Sequence, residues 1–277
     1  MKKKVYVITG ATSGIGKTLV EILSKDNIVY AGFRSEEKIK DINGVLENIK
    51  TFYVDYAKPE TIQAALKYLN SAVEKVDTLI NVAGCVVAGP VEKLSIDEVR
   101  RQFNVNVFGH LEMAQGLVEK LKGGKIINIS SMASYAIFPF ISPYCASKRA
   151  LDIFFNSFAI ENKHAIKVIS IKPGVIVTPL WEKSIKENFD AMKNCEGYEK
   201  EMEFIALNAQ KNETKGMSVD KVVHTILKAD AAKKPRLTYT VGTDAFFAHM
   251  VSKLPQRIIN KLIKIGLNLR MKNNKMN

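Results

Sequence analysis

The chain has 277 residues, of which 47% are hydrophobic and 25% charged, a composition that supports a packed core and excludes extended disorder. No apolar run approaches the roughly 20 residues that span a bilayer, and the start, Met1-Lys2-Lys3-Lys4 then Val5 to Ile8, is too short for a signal-peptide core. The formal charge of +13 is unevenly spread: no acid follows Asp244, whereas Lys253, Arg257, Lys261, Lys264, Arg270, Lys272 and Lys275 do.

Taken in chain order, residues 4 to 9 predict a strand stopped by Gly10, and Ile15, Leu19, Ile22 and Leu23 then recur at helical spacing from Gly14 onward. The alternation repeats. Strands are predicted at 28–33, 51–54, 78–82, 125–129 and 168–171; helices at 35–42, 59–72, 96–121 and 143–162. Strands separated by helices pair in parallel through right-handed crossovers, and near-continuous apolar strands such as Ile126-Ile127 suit a sheet covered on both faces. The predicted fold class is α/β: a doubly wound, Rossmann-type parallel sheet with helices on both faces, in a single domain over residues 1–244.

Two segments break the rhythm. Residues 179–215 are rich in charge yet carry Trp181, Phe189, Met192, Tyr198, Phe204 and Leu207, which predicts a helical flap over a substrate. Residues 245–277 form a basic amphipathic C-terminal extension, interrupted at Pro255. Such an extension either lies on an anionic membrane surface or covers the pocket or a subunit interface while its lysines stay solvated.

Cys85, Cys145 and Cys195 are odd in number and lack zinc or redox-pair spacing, so they read as reduced thiols of a cytoplasmic protein. His110, His164, His224 and His249 show no ligand spacing, and no metal is expected. The basic stripe carries no nucleic-acid motif, and no nucleic-acid partner is expected.

Three groups of residues carry chemistry. Thr9-Gly10-Ala11-Thr12-Ser13-Gly14-Ile15-Gly16 sits between the first strand and its helix, where backbone N–H groups and the helix dipole attract phosphate oxygens. Its Gly-x-x-x-Gly-x-Gly spacing differs from the Gly-x-Gly-x-x-Gly fingerprint. Tyr144 and Lys148 stand four apart, on one helix face, where an ammonium favours a phenolate whose unperturbed pKa is about 10. Ser131 precedes the tyrosine at the end of the 125–129 strand. Alone, a Tyr-x-x-x-Lys pair is usually a solvated helix pair.

With Asn81-Val82-Ala83-Gly84, Asn106 and Pro173-Gly174 in the same chain order, these residues resemble the short-chain dehydrogenase/reductase family, strongly over roughly residues 4 to 180. The resemblance implies that Tyr144 exchanges a proton with the substrate oxygen, Ser131 orients that oxygen, and Lys148 lowers the tyrosine pKa and holds the nicotinamide ribose. Asn106 would anchor a water relay from Lys148 to solvent. Val82 departs from the family's usual second asparagine. The implied cofactor site comprises Gly10, Thr12, Ser13, Gly14, Ile15, Gly16, Arg34, Ser35, Asp55, Asn81, Ala83, Gly84, Tyr144, Lys148, Pro173, Gly174, Ile176 and Thr178.

No acid closes the second strand before Glu36, and Arg34 with Ser35 beside it suits a 2′-phosphate, so NADP(H) is expected in preference to NAD(H). Phe138, Phe140 and Trp181, with Ser131, form an apolar mouth for a hydrophobic carbonyl or alcohol. Residues 236–245 are similar to the 17β-hydroxysteroid dehydrogenase and retinol dehydrogenase branch, which implies a steroid, a retinoid or a long-chain carbonyl. The family also implies a homo-oligomer. The competing readings are an NAD-dependent alcohol dehydrogenase and a non-catalytic nucleotide-binding regulatory protein; the latter needs only the glycine loop and cofactor wall.

Overall fold

The computed structural model describes residues 2–35, 37, 47–178, 180, 184 and 195–273. Strands β1 (Val5–Thr9), β2 (Ile28–Phe33), β3 (Ile49–Tyr53), β4 (Thr78–Asn81), β5 (Lys125–Ile129), β6 (Lys167–Pro173) and β7 (Thr238–Val241) form one sheet. Their order is β3-β2-β1-β4-β5-β6-β7, with every pairing parallel. This is the doubly wound, Rossmann-type fold that the alternation predicts. The strand at β7 and the helix before it fall in a stretch where the sequence predicts no element.

Alternation along each strand sorts the core into two layers. Ile8, Ile80, Ile127 and Ile169 are buried against α1 (Gly14–Leu23) and α7 (Val219–Ala231) through Leu19, Val223 and Ile226. Their neighbours Val7, Leu79, Ile126 and Val168 are buried on the other face. There they meet Leu69 of α2 (Pro59–Ala72), Met113 of α4 (Gly109–Gly116), and Leu151 and Phe155 of α5 (Ser142–Glu161). Each such side chain contributes about 1.5–3 kcal/mol by leaving water.

The predicted helix over 96–121 is interrupted. It consists of α3 (Ile96–Phe103), a π-helical turn over Asn104–Phe108, and α4, which stops at Gly116. Leu117 and Leu121 remain fully buried, so the apolar spacing reads on past the true end of the helix. Gly116 marks closest approach to α2: a Cβ there would lie 2.4 Å from Leu66 Cδ1. The predicted helix over 35–42 lies almost wholly outside the described residues.

The last third supplies α6 (Glu199–Lys215), α8 (Thr243–Val251) and α9 (Gln256–Asn273), with Pro255 at the break between α8 and α9. In the segment expected to form a flap, α6 buries Met202 beside Cys195 and Phe140.

Candidate active site

The strand order reverses at β1, whose neighbours are β2 and β4, and such a switch opens a crevice at the carboxyl ends of the strands. A cavity of about 910 Å³ lies there. Each strand end contributes to it: Gly10 after β1, Arg34 after β2, Asp55 after β3, Gly84 after β4, Ser131 after β5, Gly174 after β6 and Asp244 after β7.

At the first strand end, Gly10 and Gly14 adopt positive φ (68° and 53°), a backbone shape costly for any residue with a Cβ. Gly10 also passes Ala83 so closely that a Cβ would stand 2.7 Å from its nitrogen. Thr12, Ser13, Gly14 and Ile15 line the cleft. Gly16 lies beneath the loop, where a Cβ would meet Gly10 O at 2.3 Å, so its part is to let the loop settle on α1.

Arg34 is exposed on the cleft wall, while Ser35 does not line the cleft. Asp55 lines it and also closes its own turn, its Oδ1 accepting from Ala57 N at 3.0 Å.

Ser131, Tyr144 and Lys148 come together at the centre of the cleft. Ser131 Oγ accepts from Ala133 N at 3.0 Å and is hydrogen-bonded to the Tyr144 phenol. Burial pushes the phenol up to about 12, and the Ser131 bond opposes that rise. Lys148 donates to Ile129 O at 2.8 Å and stands 5.8 Å from the Tyr144 ring centre. Burial draws its ammonium down to about 8, while the carboxylate of Asp152 pulls the other way. Proximity alone predicts a lowered phenol pKa; in this structure desolvation dominates and the phenol stays protonated.

Asn106 is fully buried in the π-helical turn. Its Oδ1 accepts from Cys85 N at 2.9 Å, and its Nδ2 donates to Cys85 O at 3.0 Å and Ser147 Oγ at 2.9 Å. Both amide hydrogens are therefore used, and any water beside Asn106 is held through an acceptor. Asn81 is also buried and off the cleft wall; its Nδ2 donates to Asn128 Oδ1 at 2.8 Å. Ala83 and Gly84 form the wall beside it.

Pro173, Gly174, Ile176 and Thr178 all line the cleft. Gly174 is not at positive φ; a Cβ there would collide with the carboxylate of Asp244, which accepts from Val175 N at 2.7 Å. Phe138 and Phe140 line the apolar mouth as expected. Trp181 lies outside the described residues.

Sequence reasoning missed two parts of this region. The first is Asp152, one helical turn beyond Lys148 and paired with Lys172 at 2.7 Å, both buried. Its spacing extends the Tyr144–Lys148 ladder and was legible. The second is Tyr135, whose ring lies 4.1 Å from the Lys172 ammonium and whose hydroxyl is 2.9 Å from Thr240 Oγ1. The far wall, where Phe204 of α6, Phe247 and Val251 of α8, and Ile259, Ile263 and Gly266 of α9 line the same cleft, comes from the two segments that the sequence offers as a flap and as a cover of the pocket.

A parallel doubly wound sheet with a glycine-rich first turn and a buried Ser–Tyr–Lys group at its switch point defines a nucleotide-dependent oxidoreductase. Comparison with known proteins agrees. The pattern of the short chain dehydrogenase family matches residues 4–188, and the chain belongs to that family. It is an enzyme acting on carbonyl or alcohol groups.

An NADPH-dependent 3-dehydrocapnine reductase of Ornithobacterium rhinotracheale is 30% identical over 271 residues, covering 92% of this chain and 94% of that protein. A 3-ketodihydrosphingosine reductase of Bacteroides thetaiotaomicron is 28% identical over 274 residues, covering 96% and 98%. The crystal structure of a short chain dehydrogenase from Burkholderia cenocepacia in complex with NADP shares the fold. Its TM-score is 0.73 at 23% identity, over 95% of this chain and 98% of that one.

Proposed function

We propose that the protein is an NADPH-dependent reductase of a ketone carried on a hydrophobic, lipid-like molecule. The carrying observation is one continuous cleft in which Ser131 and Tyr144 stand between a glycine-loop wall and an apolar wall from α6, α8 and α9. The names of the two relatives, one stating NADPH and one a keto sphingoid, support this reading. So does the similarity of residues 236–245 to the hydroxysteroid and retinol dehydrogenase branch. In this proposal residues 1–244 are the catalytic unit, and 245–277 close its apolar side.

The residues present fit a nicotinamide nucleotide. The positive-φ loop at the head of α1 suits a pyrophosphate, and Arg34 suits a 2′-phosphate. Ser130 Oγ is buried, without a hydrogen-bond partner, in the cleft wall, and suits the carboxamide end. When bound, that nucleotide supplies the hydride. Tyr144, protonated across the physiological range, donates its proton to the carbonyl oxygen, which Ser131 positions. Lys148 compensates the charge left on the phenol.

The proposal extends to a cytoplasmic homo-oligomer, supported by three buried cysteines outside any disulfide and by Phe108, Ile153 and Phe154 exposed on the π-helical turn and α5. The deciding experiment follows NADPH and NADH oxidation against long-chain 3-ketones, steroids and retinoids, with Tyr144→Phe as control. Turnover with NADPH that the substitution abolishes is expected. Cofactor binding without turnover on any of the three classes would reject the lipid-like substrate.

A further inference from the structure

Helix α9 divides into three sectors. Ile259, Ile263, Gly266 and Leu267 line the cleft and are buried or half-buried. Ile258, Leu262, Ile265 and Leu269 recur at steps of four, three and four, which places them on one stripe, and all are between 47% and 58% exposed. Arg257, Lys261 and Lys264 are exposed along the far border of that stripe. An ordinary surface helix spends one apolar face on the core; α9 has a second that touches no core.

Helix α8 continues the surface. Phe246, Phe247 and Met250 are 60%, 69% and 48% exposed, with Leu254 at 41% in the connection. Eight of the twenty large apolar side chains exposed among the described residues thus lie between 246 and 269. Phe247 and Leu262 belong to both surfaces, since they line the cleft and are also 69% and 49% exposed. The apolar mouth therefore opens onto the exposed stripe. No acid follows Asp244, so every charged side chain that α9 itself carries is basic.

We infer that the exposed face of α8 and α9 docks on an anionic lipid surface, with the mouth of the cleft turned toward it. Apolar side chains enter the headgroup boundary while the bordering lysines and arginine meet lipid phosphates. No helix among the described residues is long and apolar enough to cross a membrane, so the contact is peripheral. Docking requires only this surface; its purpose, direct transfer of a lipid ketone into the cleft, rests on the reading given above.

The test is sedimentation of the full chain with vesicles of equal parts phosphatidylcholine and phosphatidylglycerol, and with phosphatidylcholine alone. Binding to the anionic vesicles, weakened by added salt, is expected. Lys261→Gln with Lys264→Gln should lower it on the order of thirtyfold. Ile265→Ser with Leu269→Ser, neither lining the cleft, should also lower it.

Wild-type protein that ignores anionic vesicles overturns the inference. So does binding that the four substitutions leave unchanged, or self-association through this face, seen by gel filtration and lost in Ile265→Ser/Leu269→Ser, without vesicle binding. NADPH-dependent turnover of a short water-soluble ketone, measured on the same samples, separates the two readings. Turnover without vesicle binding removes only the docking, and vesicle binding without turnover of either the short ketone or a detergent-solubilised long-chain 3-ketone removes only the reductase assignment.

Discussion

On the nucleotide side of the cleft a single added methyl is a collision: a Cβ on Gly10 would stand 2.7 Å from Ala83 N, and one on Gly16 2.3 Å from Gly10 O. On the opposite wall, a Cβ on Gly266 would meet nothing within 4 Å. The first wall is made of backbone held at fixed distances. The second is made of side chains from α6, α8 and α9, whose volumes can be exchanged. Chemistry is thereby tied to one geometry, while the shape of the substrate site can drift.

If this contrast holds, substitutions on the two sides should differ in kind as well as size. The largest effect belongs to the centre: Tyr144→Phe should lower kcat about 10²–10⁴-fold while leaving NADPH affinity, read by fluorescence titration, unchanged. Residual turnover near wild type would remove Tyr144 from the chemistry. Next, Arg34→Ser should raise the KM for NADPH on the order of 10–100-fold and leave that for NADH alone, since a charge-assisted bond contributes about 1.5–3 kcal/mol. An equal change with both nucleotides would mean that Arg34 does not read the 2′-phosphate.

Gly10→Ala should weaken NADPH binding about tenfold or more, because a positive φ with a Cβ costs about 1–2 kcal/mol before the clash with Ala83 is added. Unchanged affinity by calorimetry would break the claim that this wall is rigid.

The pH dependence has a definite sign. Lys148 is drawn down to about 8, so its ammonium is present below that pH and lost above it. Reduction should hold a plateau at lower pH and fall above about pH 8, while Tyr144, raised to about 12, stays loaded throughout. Lys148→Met should lower the plateau and flatten the profile; a profile that rises above pH 8 contradicts the assignment.

The smallest effect is expected at Gly266→Leu. Turnover of short ketones should stay within about twofold, with long-chain KM raised several-fold, because leucine fills open cleft and favours helix by about 0.8 kcal/mol over glycine. Equal loss for short and long substrates would show that the far wall is as rigid as the near one.

The same contrast explains what the sequence made legible. Gly10, Gly14, Ser131, Tyr144 and Lys148 are few, specific and fixed in spacing, and the structure gathers them in one cleft. The sheet was legible from alternation except at β7, a four-residue edge strand, Thr238–Val241, that carries little periodic signal. The break at Asn104–Phe108 was not, because Leu117 and Leu121 keep the helical spacing that a π-helical turn only shifts. Nor could periodicity show that α9 has two apolar faces, one inward and one outward: a hydrophobic residue reads the same whether it meets a core, a ligand or water. Asp152 was within reach of the spacing argument, yet its partner Lys172 is distant in sequence and only the fold joins them.

Gly174 is glycine on account of Asp244, whose carboxylate occupies the space a Cβ would need while holding Val175 N. The two positions form a lock with interdependent halves. A side chain at 174 becomes admissible only after the acid at 244 is gone, and losing the acid leaves a main-chain donor without its acceptor. Lineages that remodel the C-terminal helices must either keep both residues or replace both together. For the same reason, a chimera that exchanges substrate specificity should join the foreign helices after Asp244, leaving the Gly174–Asp244 pair intact.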